Sequence, residues 1–372
     1  MDESQLFDEL YEKRKPSDNP LNIAVVGKVS AGKSSLINAI LECEFGAETI
    51  APVGATSGVT TKVTPYRLDE HTLIIDCPGL DDIREENSEE TKRFLSSIDI
   101  GLFVVTGSAD DSQKSSFNDL KNHCKHVIVV LNKIDEWKDS EDSVLEEVIT
   151  QWKSCLQVET IFPTCTKGYD PQMRKDVIVV LQGVEELKNA IFQLLEEEGK
   201  ALFLAKHLRK NRQGYAQKII VTALLAVAGE AFIPGSAAYI TATQVVAITS
   251  LNYLYTGETL NKSSALALIP GFAGESIGTS IFLLAKSFLP PTGIVDLAAA
   301  VVAVTITFAM LAAVKWVLEN EHDLSDKEEL KKAFKAFKEI AKEFKNLSIT
   351  DLKSSEAIMN LVNKLFSRSV QL

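Results

Sequence analysis

The chain has 372 residues, a length for which two domains are the ordinary expectation. Its formal net charge of −12 argues against a surface that binds nucleic acid along the whole chain, so no nucleic acid is expected among its partners. The five cysteines show neither paired metal-ligand spacing nor a disulfide framework. Together with an acidic N-terminus that lacks an apolar core segment, they predict a cytoplasmic protein with reduced thiols.

The first element is a short helix followed by a linker. Apolar residues share one helical face over 6–11, and a stretch rich in proline and polar residues follows at 16–20. After about residue 185, strand-like runs give way to long helical stretches, the first of which is predicted as one amphipathic helix over 185–218. The expected divisions are an N-terminal helix with its linker, an α/β domain and a helical domain, at 1–19, 20–198 and 199–372.

The α/β domain opens with a strand, a loop and a helix around the sequence GKVSAGKS at 27–34. Both flanks supply the context that the phosphate-loop motif requires. Backbone N–H groups and the positive end of the helix dipole suit a phosphate here. We expect Lys33 to reach the β- and γ-phosphates and Ser34 to bind Mg²⁺. The predicted nucleotide contacts in this loop are Gly27, Ser30, Ala31, Gly32, Lys33, Ser34 and Ser35.

A carboxylate follows the next buried strand, in the sequence DCPG at 76–79. We expect Asp76 to hold Mg²⁺ through a water molecule, and Gly79 to offer its backbone N–H to the γ-phosphate. Of Thr60 and Thr61 in the intervening loop, we favour Thr61 as the switch residue that binds Mg²⁺ when the γ-phosphate is present. A solvated loop is the alternative for either threonine. The predicted magnesium ligands are Ser34, Thr61 and Asp76.

Two later motifs predict a site for a guanine base. NKID at 132–135 and CTK at 165–167 each follow an apolar strand. Asp135 can accept hydrogen bonds from the N1–H and the exocyclic amine of guanine, a donor pair that adenine lacks at this edge. We expect Asn132 to tie this loop to the phosphate loop and Thr166 to donate its backbone N–H to the guanine O6. The predicted base-site residues are Asn132, Lys133, Asp135, Cys165, Thr166 and Lys167.

The group that positions the attacking water is not evident from the sequence. Many GTPases use a glutamine directly after the DxxG motif, where this chain has Leu80. Ser30, Thr61 and Asp81 are the remaining catalytic candidates, and a solvated loop is the competing interpretation of Asp81. We therefore expect slow intrinsic hydrolysis that self-assembly stimulates.

Three apolar segments dominate the second half of the chain. The first, at 219–240, is interrupted by Glu230 and Pro234, and the second, at 265–289, also contains charged residues. The third, at 294–318, is long enough to span a membrane. Because interior charges disfavour simple spanning, the pattern favours a hairpin that inserts into or lies on a bilayer. A wholly soluble, strongly apolar bundle is the alternative.

An amphipathic helix with many lysines follows the third apolar segment. Ser325 and Glu328 predict a capping box at its start. Leu330, Phe334 and Phe337 lie on one face, with lysines opposite. Packing of this face on a helical bundle is the favoured interpretation, and a membrane-surface helix is the alternative.

Several stretches resemble known families. SGVTTKVTPYRL followed by LIIDCPGLDD, together with SAGKSS at 30–35, resembles the Era-like and dynamin-related GTPases, in particular the immunity-related GTPases. The apolar region, with IPGSAAYITATQVV and LIPGFAGESIG, resembles a domain fused to bacterial Era-like GTPases. The resemblance implies an α/β P-loop GTPase domain with a mostly parallel six-stranded sheet, followed by an all-α, strongly apolar domain.

The motifs and the resemblance together lead to a functional expectation. They predict a GTPase that binds GTP and GDP with Mg²⁺, with a monovalent cation as a further candidate cofactor. Its nucleotide cycle would be coupled to self-association, as a homodimer or larger assembly, and to association with or remodelling of a membrane at its cytoplasmic face. A soluble switch for ribosome or RNA assembly, or for partner recruitment, is the alternative.

Overall fold

A computed structural model describes residues 3–43, 50–51, 64–77, 97–137, 142–167, 180–208, 211–233, 236–273 and 294–368. The chain divides into two compact units, which we call the α/β unit (17–210) and the helical unit (1–16 with 211–372). The N-terminal helix α1 (Glu3–Arg14) therefore groups with the later helices. The divisions at 19/20 and 198/199 stay predictions.

Eight described strands lie in the α/β unit. They are β1 (Leu21–Val26), β2 (Thr64–Arg67), β3 (Thr72–Cys77), β4 (Ile98–Val105), β5 (Cys124–Leu131), β6 (Phe162–Pro163), β7 (Cys165–Lys167) and β8 (Val180–Gln182). The first six form one sheet in the order β2–β3–β1–β4–β5–β6, and β7 pairs with β8 separately. Only β2 runs antiparallel within the six-stranded sheet. The predicted mostly parallel six-stranded sheet is confirmed.

The central strands are apolar because helices cover both faces of a parallel sheet. β1, β3 and β4 are buried along their whole length. The described helices of this unit are α2 (Lys33–Ile40), α3 (Lys114–His123), α4 (Asp142–Leu156), α5 (Val184–Glu197) and α6 (Ala201–Ala205). Phe103, Phe117 and Trp152 belong to the core between sheet and helices. Polar loops are thereby left at the carboxyl ends of the strands, where ligands bind in such sheets.

The single helix expected from 185 to 218 is interrupted. α5 ends at Glu197, and Gly199 takes a left-handed conformation with φ of +69°. Glycine adopts this conformation without a Cβ clash and commonly ends helices for that reason. The periodic apolar pattern continues across this break, so periodicity alone predicts one helix over 185–218. The structure instead has α5, α6 and the start of the helix Arg212–Glu230 in this range.

A buried ion pair holds the amino ends of the central strands. The Lys200 ammonium lies 2.7 and 2.8 Å from the two carboxylate oxygens of Asp99 on β4, and 2.7 Å from the Pro20 carbonyl oxygen. The Asn22 backbone N–H also donates to Asp99, at 3.0 Å. Lys200 and Asp99 are 5% and 1% exposed, so water does little to solvate either charge. This pair joins the segment that leads into β1 to the segment that leaves α5.

The helical unit is built around one apolar helix. Its further helices are α7 (Arg212–Glu230), α8 (Ser236–Thr256), α9 (Lys262–Ala273), α10 (Ile294–Glu319), α11 (Lys327–Ile340), α12 (Ile349–Leu352) and α13 (Ser355–Arg368). α10 packs against α7, α8 and α11. Within the described residues it is the one helix long and apolar enough to cross a membrane, over Leu297–Glu319, and 67% of its most apolar window is buried in the structure. Core helices of bundles pass the same length and hydropathy test.

Two charged residues of the apolar segments, Glu230 and Lys315, have partners inside the unit. Glu230, at the end of α7, lies 2.6 Å from the Arg14 guanidinium of α1 and accepts hydrogen bonds from the Thr243 hydroxyl. Lys315 of α10 pairs with Glu319 at 2.5 Å and lies 5.0 Å from the ring centre of Phe366. Because a buried charge is costly unless paired, these contacts account for Glu230 and Lys315 without a bilayer. The charged residues of the second apolar segment, Glu275 and Lys286, lie outside the described residues.

α11 packs its aromatic face on the bundle. Leu330, Phe334 and Phe337 are at most 5% exposed, and the Phe337 ring lies 6.4 Å from that of Phe308 on α10. The favoured interpretation of this helix is therefore confirmed.

The predicted cap of α11 is wrong by one residue. Asp326 is the N-cap, and its side chain accepts a hydrogen bond from the Glu329 N–H. Ser325 is instead drawn into the preceding turn, where its N–H donates to Asp323 at 2.6 Å.

The Lys200–Asp99 pair gives a test of the fold. Replacement of Lys200 by methionine leaves the Asp99 carboxylate buried without its main partner, so the α/β unit should lose about 3 kcal/mol of unfolding free energy. Urea unfolding can be followed by tryptophan fluorescence in a Trp316→Phe background, so that the remaining tryptophans report only the α/β unit. Lys125→Met is the matched control, because the half-exposed Lys125 lies 3.5 Å from the same carboxylate and should matter by under about 1 kcal/mol. Equal effects of the two substitutions would contradict a specific role for Lys200.

Candidate nucleotide-binding site

The phosphate loop connects β1 to α2 with two glycines that no other residue can replace without movement. A Cβ added at Gly27 would lie 2.2 Å from the Val104 carbonyl oxygen. At Gly32, φ is +84° and an added Cβ would lie 2.4 Å from the Asn132 amide nitrogen. Ser30, between them, is exposed and also has a positive φ, of 66°. The loop therefore takes a compact conformation that the motif's glycines permit.

Lys33 occupies the centre of this loop. It is 3% exposed, and its ammonium donates to the carbonyl oxygens of Gly27 at 3.0 Å and Lys28 at 3.2 Å. The same nitrogen lies 3.7 Å from Asp76 Oδ1. A desolvated ammonium held by weak carbonyl acceptors is prepared to exchange them for phosphate oxygens.

Asp76 stands at the end of β3, next to the first turn of α2. Burial raises the pKa of its carboxyl group, while Lys33 and a hydrogen bond from Ser34 oppose that rise. The Ser34 hydroxyl donates to Oδ2 at 2.8 Å. Oδ1 is buried and accepts no hydrogen bond from the described residues. A hydroxyl beside a buried carboxylate oxygen that lacks a donor fits the oxygen ligands that Mg²⁺ prefers.

The base loops are joined to the phosphate loop by the amide of Asn132. Its Nδ2 donates to the Ala31 carbonyl oxygen at 3.0 Å, as the sequence predicts. Its Oδ1 accepts hydrogen bonds from the hydroxyls of Thr164 at 3.2 Å and Thr166 at 3.4 Å. Asn132 and Thr164 are fully buried. This network sets the orientation of the amide.

Thr164 is a site residue that the sequence analysis missed. It lies between β6 and β7, directly before the CTK motif. A hydroxyl residue at the end of a strand beside a base loop is the signal that identifies it in retrospect.

Asp135 lies in the short helical turn Ile134–Trp137 and is half-buried. The Cys165 thiol donates to its carboxylate, at an Sγ to Oδ1 distance of 3.3 Å. Lys133, before this turn, has a positive φ of 63°. The carboxylate is therefore oriented by the second base loop, as recognition of a planar base edge requires.

The remaining predicted contacts lie partly in this region and partly outside the described residues. Ala31 and Ser35 lie in the phosphate loop and the first turn of α2, and Lys167 is the last residue of β7. Thr61, Gly79 and Asp81 fall in stretches that the structure does not describe. The roles predicted for all these residues stay predictions.

Sheet order, phosphate loop and base loops together define the α/β unit as a P-loop GTPase domain. Within that class, residues 22–133 match the family model described as 50S ribosome-binding GTPase. The expectations of a P-loop GTPase domain and of Era-like character are thereby confirmed. The resemblance to immunity-related and dynamin-related GTPases stays a prediction.

Curated relatives support the same class. The chain is 30% identical over 169 residues to GTPase Der of a Nitratiruptor species. This match covers 41% of this chain and 36% of that protein. It is 33% identical over 126 residues to GTPase Der of Campylobacter fetus subsp. fetus, 32% of this chain and 27% of that protein. The chain thus spans about a third of the length of the curated relatives it matches.

Among solved structures, a complex of Era with MgGDPNP and a segment of 16S ribosomal RNA is 20% identical. The match covers 56% of this chain and 68% of the Era chain, with a TM-score of 0.32.

The expectation that no nucleic acid is a partner is contradicted. The family model that matches residues 22–133 is described by its binding to the 50S ribosome. Net charge misled because it sums over the entire surface, whereas contact with RNA depends on the charges of one local patch.

Thr164 gives a test of the Asn132 network. Thr164→Val keeps the shape of the side chain but removes one of the two hydroxyl donors to Asn132 Oδ1. We expect about fivefold weaker GDP and GTP binding, the equivalent of one neutral hydrogen bond. Fluorescent-nucleotide titration measures the effect. Thr164→Ser restores the hydroxyl and should restore most of the affinity, whereas equal losses in both variants would point to packing alone.

Asp135 gives a test of base recognition. In Asp135→Asn the acceptor for the guanine amine is lost, while the new amide can donate to a carbonyl at the same position. GTP affinity should therefore fall about 100-fold, and xanthosine triphosphate should become the preferred ligand. Competition titration with both nucleotides measures the preference. Cys165→Ser, which keeps a donor to Asp135, is the control that should retain guanine; unchanged preference in Asp135→Asn would exclude the base-site assignment.

Proposed function

We propose that this chain is a GTP-dependent switch that acts on the ribosome or on ribosomal RNA. The proposal rests on one observation: four residues of the nucleotide site lie within the part of the chain that matches the family model. Lys33, Ser34, Asp76 and Asn132 converge at one edge of the sheet, within the residues that match 50S ribosome-binding GTPases. Such a switch needs two nucleotide states that differ at the γ-phosphate, which the buried Lys33 would contact.

The residues present divide the binding of GTP between them. Lys33 would exchange the carbonyls of Gly27 and Lys28 for β- and γ-phosphate oxygens. Ser34 would turn its hydroxyl from Asp76 to Mg²⁺, and Asp76 would hold the ion through water. The bound Mg²⁺ neutralises charge on the phosphate oxygens. Asp135 would select guanine while Asn132 keeps the base loop fixed to the phosphate loop.

Hydrolysis is expected to be slow without a partner. The position after DxxG is Leu80, whose apolar side chain cannot orient water. Ser30 is exposed at the rim of the loop and stays a candidate for contact with a monovalent cation. A slow cycle suits a regulatory switch, because the GTP state then lasts until a partner ends it.

Membrane association at the cytoplasmic face, with self-assembly, is the second candidate function. One observation favours it, namely the length and hydropathy of α10 over Leu297–Glu319. The paired charges of Glu230 and Lys315 instead suit a bundle that is stable in water. We therefore place the ribosome-directed function first.

Co-sedimentation with purified bacterial 50S subunits tests the proposal. The wild-type protein should pellet with 50S subunits more strongly in a non-hydrolysable GTP analogue than in GDP. Lys33→Ala, which removes the phosphate contact, should abolish the difference. Lys28→Ala is the matched control, because this exposed lysine of the same loop pairs with Asp110 and should leave the nucleotide response intact.

Flotation with liposomes, without ribosomes, is the second arm of this experiment. Flotation of the wild-type protein together with no binding to 50S subunits would replace the first proposal by the membrane-directed function. Binding to 50S subunits that is equal in both nucleotides would contradict a GTP-dependent switch.

A further inference from the structure

A row of lysines lies on the outer face of α11 and on the short 3-10 helix Ala341–Asn346 that continues it. None of these side chains is buried, and that of Lys342 is 55% exposed. We call the row the lysine ridge; it consists of Lys327, Lys331, Lys335, Lys338, Lys342 and Lys345.

The spacing of the ridge places its charges on one line. On α11 successive members are four, four and three residues apart, the separations that make helix neighbours on one face. Lys342 and Lys345 are three apart in a 3-10 helix, where such residues lie above one another. With a rise of about 1.5 Å per residue in α11 and about 2 Å beyond it, the ridge is about 30 Å long.

The charge of this segment is opposite to that of the chain. Residues 327–345 contain seven lysines and four glutamates, whereas the whole chain has a net charge of −12. The glutamates offset this charge only in part: Glu339 pairs with Lys342 of the ridge, whereas Glu343 pairs with Lys364 and Arg368, which lie outside it. A shallow groove beside it is lined by Glu328, Lys331, Lys332, Lys335, Ala336 and Glu339. The sign and the regular spacing fit a polyanion with evenly spaced charges.

We propose that the lysine ridge binds the phosphate backbone of ribosomal RNA. This deepens the proposed function and rests on it for the choice of RNA. Lysines contribute to such binding by displacing counterions from phosphates, without any readout of sequence. The fold also disfavours a bilayer as the occupant. A membrane-surface helix buries an apolar face among lipids, but Leu330, Phe334 and Phe337 of this helix are buried in the bundle.

The test compares two triple variants with the same loss of charge. Lys327→Gln, Lys331→Gln and Lys335→Gln remove half of the ridge. Lys114→Gln, Lys121→Gln and Lys153→Gln, on α3 and α4, are the matched control. Filter binding to 23S ribosomal RNA is measured between low and physiological salt. Unchanged circular dichroism and GTP affinity show that each variant is folded.

The ridge variant should bind RNA about tenfold more weakly at low salt than the wild-type protein. The slope of log affinity against log salt should fall by about 2, the value for three phosphate contacts with single-stranded RNA. The control variant should retain the wild-type slope. Equal behaviour of the two variants would overturn the proposal, as would binding of the wild-type protein to phosphatidylglycerol vesicles but not to RNA.

The ridge and the proposed function can fail separately. If the ridge variant retains GTP-dependent binding to 50S subunits in full, RNA binding by the ridge is excluded. The proposed function as a GTP-dependent switch is then unaffected. Loss of RNA affinity in the ridge variant, with no nucleotide-dependent binding of the wild-type protein to 50S subunits, would support the ridge and exclude the switch.

Discussion

The buried amide of Asn132 is the interaction on which the nucleotide site depends. Its nitrogen reaches the Ala31 carbonyl oxygen in the phosphate loop, and its oxygen is held by the hydroxyls of Thr164 and Thr166. A buried amide costs free energy unless its donors and acceptors are paired, so this pairing favours the observed separation of the two loops. The absence of a side chain at Gly32 follows, because a Cβ would collide with the same amide nitrogen. Base recognition and phosphate binding are thus set by one hydrogen-bonded group before any nucleotide arrives, which lowers the entropic cost of binding.

The same requirement for pairing governs the apolar half of the chain. A glutamate and a lysine within strongly apolar sequence suggest either a membrane device or a bundle with internal partners. Glu230 has Arg14 and Thr243 as its partners, and Lys315 has Glu319. Arg14 lies at the far end of the sequence from these helices, so only the folded structure reveals the pairing. The N-terminal helix is accordingly part of the helical unit and supplies the countercharge for α7.

The sequence predicted those features of the structure that depend on short motifs or on strong periodicity. The P-loop GTPase class, the mostly parallel sheet and the buried aromatic face of α11 follow from local patterns of residues. Three features escaped because they depend on contacts that a local pattern does not contain. The Thr164 hydroxyl contacts Asn132, which is distant in sequence. α5 ends at Glu197, just before the left-handed Gly199, although the apolar period continues. Asp326 becomes the cap because the Ser325 N–H is used by the preceding turn. The exclusion of nucleic acid failed for a different reason, since it treated a sum over the chain as a property of each surface.

That distinction between total and local charge bears on how an acidic protein can approach RNA. At physiological ionic strength, charges are screened beyond about 8 Å, so a phosphate at the lysine ridge responds to the ridge and little to the acidic residues elsewhere. The ridge exists because α11 must bury its aromatic face against α10, which leaves the lysines no position except the solvent side. Packing of the core therefore determines where the basic surface lies.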